Sequence, residues 1–243
     1  MSEILDVSGY RREAALEQAA LRLRAGDPVV MPTDTVYGVA ADAFRPDGCA
    51  RVFAVKERDR GFPLPVLVRS PKQLLGLCSA VPEAAERLMA AYWPGPLTMV
   101  IPADPNLRWD LGESRGTVAV RMPLDEVALA LVREVGPLAV TSANKAGRPA
   151  ATTAQDAYEQ LGDDVPVYLD DGPRDRMAPS TIVDLTREAP HVMRAGELDE
   201  DEILAVASGE LDPMEATAPG VEDAPSLDDA EAVEGEAEAD DGA

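Results

Sequence analysis

The chain has 243 residues, 46% of them hydrophobic, 4% aromatic and 28% charged, with a formal net charge of −23. That apolar content supports a buried core and excludes wholesale disorder, and the length suits one large domain or two small ones. No apolar run approaches the roughly 20 residues of a bilayer span, and the acidic start Met1–Ser2–Glu3 is followed by no apolar stretch of a signal peptide, so the expectation is a cytoplasmic protein with no membrane partner.

In chain order, Arg12–Ala25 is rich in Ala, Leu, Glu and Arg and is closed by Gly26, which predicts a helix. The β-branched run Val29–Met31 predicts a buried strand that breaks at Pro32 into the hydroxyl-rich loop Thr33–Asp34–Thr35. Asp47–Val55 reads as a helix and Pro65–Val68 as a buried strand. Pro82 stands at the favoured first turn of a helix that runs to about Tyr92. Leu97–Ile101 and Thr117–Arg121 read as strands, Asp125–Glu134 as a helix, and Leu138–Thr141 as a strand entering Ser142–Ala143–Asn144. A helix at Thr153–Leu161, strands at Val167–Leu169, Thr181–Leu185 and His191–Arg194, and a short helix at Asp199–Ala207 complete the series. There is no internal repeat. The βα pairs beside neighbouring strand pairs imply a mixed sheet in one compact α/β domain. Residues 208–243 hold 13 Asp or Glu and no Lys or Arg, which leaves −10 on residues 1–207. This segment has no aromatic residue and cannot bury enough apolar surface to offset its ordering entropy, so 208–243 reads as an acidic, disordered tail behind a folded domain at 1–207.

Several chemistries lack their residues. There is no G-x-x-x-x-G-K-[ST] or G-x-G-x-x-G loop. His191, the sole histidine, begins a strand, which makes a triad mechanism a poor reading. Cys49 and Cys78 stand alone and fit reduced thiols. Two strand ends carrying Thr, Ser and Asn suggest instead one polar small-molecule site in a crevice. Cations lie beside both. Lys56 and Arg58 end a predicted helix, where they either complement its dipole or hold an anion. Lys145 and Arg148 follow Asn144, in a loop where Ser142 or Asn144 could equally be a helix cap. Arg121 shares a strand face with Ala119 and needs an anionic partner, either a structural Asp or a ligand carboxylate or phosphate. Arg194, just before Gly196, poses the same question.

These segments, taken together, resemble the YrdC-like family. The resemblance rests on Pro32–Thr33–Asp34–Thr35–Val36–Tyr37–Gly38, Lys56-x-Arg58 with Pro63–Leu64, Trp93–Pro94–Gly95–Pro96–Leu97–Thr98 and Val118–Ala119–Val120–Arg121–Met122–Pro123. Thr141–Ser142–Ala143–Asn144, Pro179–Ser180–Thr181–Ile182–Val183–Asp184 and Arg194–Ala195–Gly196 continue it, in unbroken order from about Ala14 to Leu204. The resemblance implies a single α/β domain with a twisted mixed sheet, flanking helices and an open ligand crevice. It also implies a nucleotidyltransferase, an L-threonylcarbamoyladenylate synthase that joins L-threonine, bicarbonate and ATP into threonylcarbamoyl-AMP and pyrophosphate for tRNA modification beside the anticodon. On that pattern Lys56, Arg58, Thr117, Ser142, Asn144 and Arg194 would hold ATP, and Thr33, Thr35, Arg121, Thr141 and Ser180 would hold threonine. Mg²⁺ would ride on the phosphates, and no protein nucleophile is required.

The chain departs from the longer family members in two respects. It has the apolar run Val66–Leu67–Val68 where some of them carry a His, and an acidic tail where they carry a second domain, so it resembles the short form. That form works with partner proteins that transfer the threonylcarbamoyl group. The competing reading is an RNA-binding YrdC-like module without synthase activity. A net acidic body with few aromatics and no recognised RNA motif favours the enzyme, with weak tRNA contact secondary.

Overall fold

Most of the short apolar strands of this chain pair with partners far away in sequence, and the result is a single mixed sheet. The structure is a computed structural model describing residues 2–174 and 178–217; most of the expected tail, from 218 onward, lies outside the described residues. The strands are β1 (Glu3–Asp6), β2 (Val29–Met31), β3 (Gly38–Asp42), β4 (Val66–Leu67), β5 (Leu97–Pro102), β6 (Thr117–Arg121), β7 (Leu138–Ser142), β8 (Val167–Asp170), β9 (Thr181–Asp184) and β10 (His191–Arg194). The helices are α1 (Arg12–Arg24), α2 (Pro46–Lys56), α3 (Glu83–Tyr92), α4 (Glu126–Val135), α5 (Ala154–Leu161) and α6 (Glu200–Ser208). Strand order is β1-β8-β2-β3-β7-β4-β6-β5-β9-β10. The β1–β8, β8–β2, β4–β6 and β5–β9 pairs are parallel and the others antiparallel. Among the described residues no helix is long and apolar enough to cross a membrane.

Local chemistry sets the helix ends. Asp125 accepts from the Ala128 N–H at 2.8 Å to open α4, Thr153 from Asp156 at 3.0 Å to open α5, and Asp199 from Glu202 at 3.0 Å to open α6. Such caps are worth roughly 0.5–2 kcal/mol each. Gly209 closes α6 at φ 84°, a conformation that costs other residues more.

The sheet is covered unevenly, and this makes the site. On one face α1 and α4 pack on Val29, Met31, Ala40, Leu138 and Val140. On the other, Val30, Val39, Ala41, Met99, Ile101 and Val183 join a larger core with residues of α2, α3, α5 and α6. Period-two alternation then leaves Thr117, Ala119 and Arg121 of β6, Thr98 and Val100 of β5, and Ile182 of β9 on the α1/α4 side, beyond the reach of those helices. The sequence reading missed β1 and β3. Ser142, expected in a loop, is the last residue of β7 and pairs with Gly38, the first of β3.

Packing does not stop at 207. Leu211 and Ala216 lie against the core, and the 3₁₀ turn Pro213–Glu215 sits on α3. Asp212 caps that turn through the Met214 N–H at 2.9 Å, and the Thr217 N–H donates to Glu202 Oε1 at 2.9 Å. Packing therefore continues at least to Thr217, ten residues past the boundary expected from composition. Truncation after Ser208 should cost about 2 kcal/mol relative to truncation after Thr217, which lowers the melting temperature by roughly 4–8 °C for a domain of this size. Scanning calorimetry of the two truncated proteins checks this; coincident melting would mean that the turn adds nothing.

Candidate functional site

The uncovered sheet face is the floor of a crevice of about 680 Å³. Its walls come from the segments after β2 (Thr33–Tyr37), around Phe62–Pro65, around Pro149–Thr152 and before β9 (Pro179, Ser180). Of the eleven residues nominated from sequence, Thr33, Thr35, Arg58, Thr117, Arg121, Thr141, Ser142, Ser180 and Arg194 line it. Lys56 and Asn144 do not. The crevice thus runs over the sheet face along β6 rather than across strand ends alone.

Two of its cations have no carboxylate partner among the described residues. Arg58 donates through Nε to Phe62 O at 2.8 Å and through Nη2 to Pro63 O at 3.3 Å. Arg194 donates to Ser180 O through Nη2 at 2.6 Å and Nε at 3.1 Å, and to Ser180 Oγ at 3.0 Å. Carbonyls and hydroxyls orient these guanidinium groups without neutralising them. Burial pulls Arg58 below the usual arginine range. Burial first, then the charges of Arg121 and Arg58, do the same to Arg194. Positive charge held this way favours an anionic ligand. The Arg194 segment can lie so close because Gly196 has no side chain: a Cβ there would overlap Pro179 O and Thr181 N.

Arg121 is different. It is buried, its Nε donates to Gly95 O at 2.9 Å, its Nη1 donates to Thr35 Oγ1 at 3.2 Å, and its Nη2 forms an ion pair with Asp34 Oδ1 at 2.6 Å. The structural Asp that the sequence reading left open is therefore present. Hydroxyls continue the wall: Thr33 Oγ1 lies 3.1 Å from Thr35 Oγ1 and donates to Val36 O at 2.6 Å, Thr98 Oγ1 lies 2.8 Å from Ser180 Oγ, and Thr117 Oγ1 donates to Ser114 O at 2.8 Å.

Lys56 turns away from the crevice. At 2% exposure, its Nζ donates to Ser142 O, to Asn144 O at 2.7 Å and to Asn144 Oδ1 at 3.1 Å. Asn144 Nδ2 donates in turn to Lys145 O at 2.9 Å and Arg148 O at 2.7 Å. Both polar ends are used in hydrogen bonds to this segment, and neither residue lines the crevice; together they hold the segment that follows Ser142. Glu57, left-handed at φ 54°, ends α2 here and pairs with Lys145 at 2.9 Å. Sequence reasoning quoted Asp34 and Thr98 within motifs but gave them no role. Alternation along β5 would have placed Thr98 on the open face beside Val100.

Burial, then the charge of Arg58, pushes Lys56 down to about 7, while its oxygen acceptors favour the ammonium. A lysine whose folded pKa lies below its unfolded value of about 10.4 weakens the fold while charged, and that penalty fades as pH rises through this window. Relative to Lys56→Met, the parent protein should therefore gain stability between pH 7 and 10. Urea unfolding at several pH values tests this, and parallel pH profiles would overturn it.

The family model Sua5_yciO_yrdC, described as telomere recombination, matches residues 22–196. A putative threonylcarbamoyl-AMP synthase of Mycobacterium tuberculosis is 46% identical over 207 residues, which is 85% of this chain and 95% of the relative. The threonylcarbamoyl-AMP synthase of Pyrococcus abyssi is 36% identical over 85% of this chain and 61% of its own length. Among solved structures, P. abyssi Sua5 complexed with L-threonine superposes with a TM-score of 0.80 at 36% identity, over 84% of this chain and 61% of that one. Escherichia coli YciO gives 0.73 at 25% identity, over 82% and 98%. The present chain thus spans about three fifths of the Pyrococcus protein and nearly the whole of the mycobacterial one. A match over most of the crevice-bearing sheet, together with these relatives, shows that the chain belongs to the Sua5/YciO/YrdC family.

Proposed function

We propose that the chain is a threonylcarbamoyl-AMP synthase, a nucleotidyltransferase that serves tRNA modification. The observation that carries the reading is one crevice with two kinds of cation: Arg58 and Arg194, held among the described residues by neutral oxygens, and Arg121 among the hydroxyls of Thr33, Thr35 and Thr141. The relatives' names support it.

In this reading Arg58 and Arg194 receive the phosphates of ATP, with Thr117 and Ser142 adding hydroxyls. Lys56 and Asn144 fix the segment that follows Ser142. Arg121 receives the carboxylate of L-threonine, with Thr33, Thr35, Thr141 and Ser180 around it. Mg²⁺ enters on the phosphates, as part of the substrate. The threonine amine attacks the bicarbonate carbon and water leaves; a carbamate oxygen then attacks the α-phosphorus and pyrophosphate departs. The protein's part is positioning and charge stabilisation, so no side chain is covalently consumed. The product is a reactive mixed anhydride, and its transfer to tRNA is the work of partner proteins in the cytoplasm.

Pyrophosphate release should require ATP, Mg²⁺, L-threonine and bicarbonate together, and undiminished release without threonine would make the protein a plain nucleotide hydrolase. Arg58→Ala and Arg194→Ala should each raise KM for ATP by about ten- to a hundred-fold, the equivalent of a lost charge-assisted hydrogen bond, with KM for threonine nearly unchanged. Steady-state kinetics with each substrate varied in turn measures both; equal rises in the two KM values would mean that these arginines do not face the nucleotide.

A further inference from the structure

Asp34 is flanked by Thr33 and Thr35, which line the crevice, yet it does not line the crevice itself. Its side chain is 6% exposed and lies against Arg121, which does line the crevice. Both carboxylate oxygens are buried and accept no hydrogen bond; the close contact of Oδ1 with Arg121 Nη2 at 2.6 Å lies off the hydrogen-bond axis. A second buried carboxylate, Asp125, already has its own partners, the Ala128 N–H and Arg174 at 3.1 Å. A buried carboxylate without hydrogen-bond donors is expensive unless a cation offsets it. Among the described residues, the cation against Asp34 is Arg121.

Three contacts then fix the guanidinium in space. Gly95 O takes Nε, Thr35 Oγ1 takes Nη1, and Asp34 holds Nη2. A planar fork recognises a carboxylate only in a set orientation. We propose that Asp34 is a positioning residue for Arg121, holding the guanidinium so that its open edge meets the ligand carboxylate in a fixed plane. Asp34 also offsets the charge of Arg121, so recognition at this end depends on direction more than on net attraction. This assigns a function to the Asp of Pro32–Thr33–Asp34–Thr35, which separates two hydroxyls facing the crevice. The inference rests on the synthase reading proposed above.

The test is Asp34→Asn, which keeps shape and removes charge, in the full-length protein. Threonine-dependent pyrophosphate release by the parent is measured first, and its absence would refute the synthase reading itself. With the parent active, Asp34→Asn should raise KM for L-threonine at least about ten-fold and leave KM for ATP within about two-fold. The parent should also use L-threonine far better than L-threoninol, which lacks the carboxylate, and the variant should lose most of that preference. A merely structural role would not move that ratio. Unchanged threonine kinetics, or parallel rises in both KM values with a lowered melting temperature, would overturn the proposal. Should Asp34→Asn not fold, Asp34→Glu keeps the charge one methylene further out and is judged by the same criteria: a threonine-specific defect supports the role, and no defect or a uniform one refutes it.

Discussion

A charged guanidinium buried in the floor of a crevice is the constraint around which the rest of this molecule is arranged. Left without partners, Arg121 would cost the fold several kcal/mol. Its three partners come from two places: Asp34 and Thr35 after β2, and the Gly95 carbonyl before β5. The loop after β2 and the turn after α3 must therefore reach the end of β6 in one fixed geometry. The Gly95 N–H donates to Met122 O at 2.9 Å, and the Trp93 indole donates to Leu97 O at 2.8 Å, so the turn is tied down on both sides of the contact. One cation in this way sets three segments against each other.

The other cations follow a different rule. Arg194 lies close enough to feel the charge of Arg58, and neither has an acid beside it among the described residues. Backbone carbonyls suit such a site because they fix direction while leaving formal charge in place. A carboxylate partner would have emptied the site of its attraction for a polyanion. The crevice therefore presents a charge-rich side and a charge-balanced side, in keeping with the proposed pairing of a triphosphate with an amino acid.

Much of this arrangement was legible in the chain. β-branched runs ending in Thr, Ser and Asn marked both the sheet and the site, because an apolar strand that stops in hydroxyls has few other uses. What escaped depended on distant contacts. Gly38–Val39–Ala40–Ala41–Asp42 is made of small residues with little strand preference, and β3 exists because β2 and β7 pair with it on both sides. β1 likewise rests on β8, from residues beyond 166. The direction of Lys56 was hidden for the same reason. A lysine at a helix end has a long, flexible stem, and the oxygens that capture it belong to a loop 86 to 88 residues later. The packing of residues 211–217 escaped because composition averages over a window, whereas Leu211 and Ala216 act singly.

The pairing pattern has a consequence for how the protein acquires its site. β1 and β2 both wait for β8, β3 waits for β7, and β5 waits for β9. Six of the nine neighbouring pairs in the sheet are closed by long stretches of chain, the kind of topology in which loop-closure entropy must be overcome before contacts reward it, and such chains fold slowly. The crevice draws on β5, β6, β7 and β9 together, so no half of the chain carries a working fraction of it. During synthesis the nascent protein has nothing to offer a ligand until β9 and Arg194 have emerged. A ligand bound across that floor then stabilises only the finished sheet, and substrate abundance becomes a force on the lifetime of the fold itself.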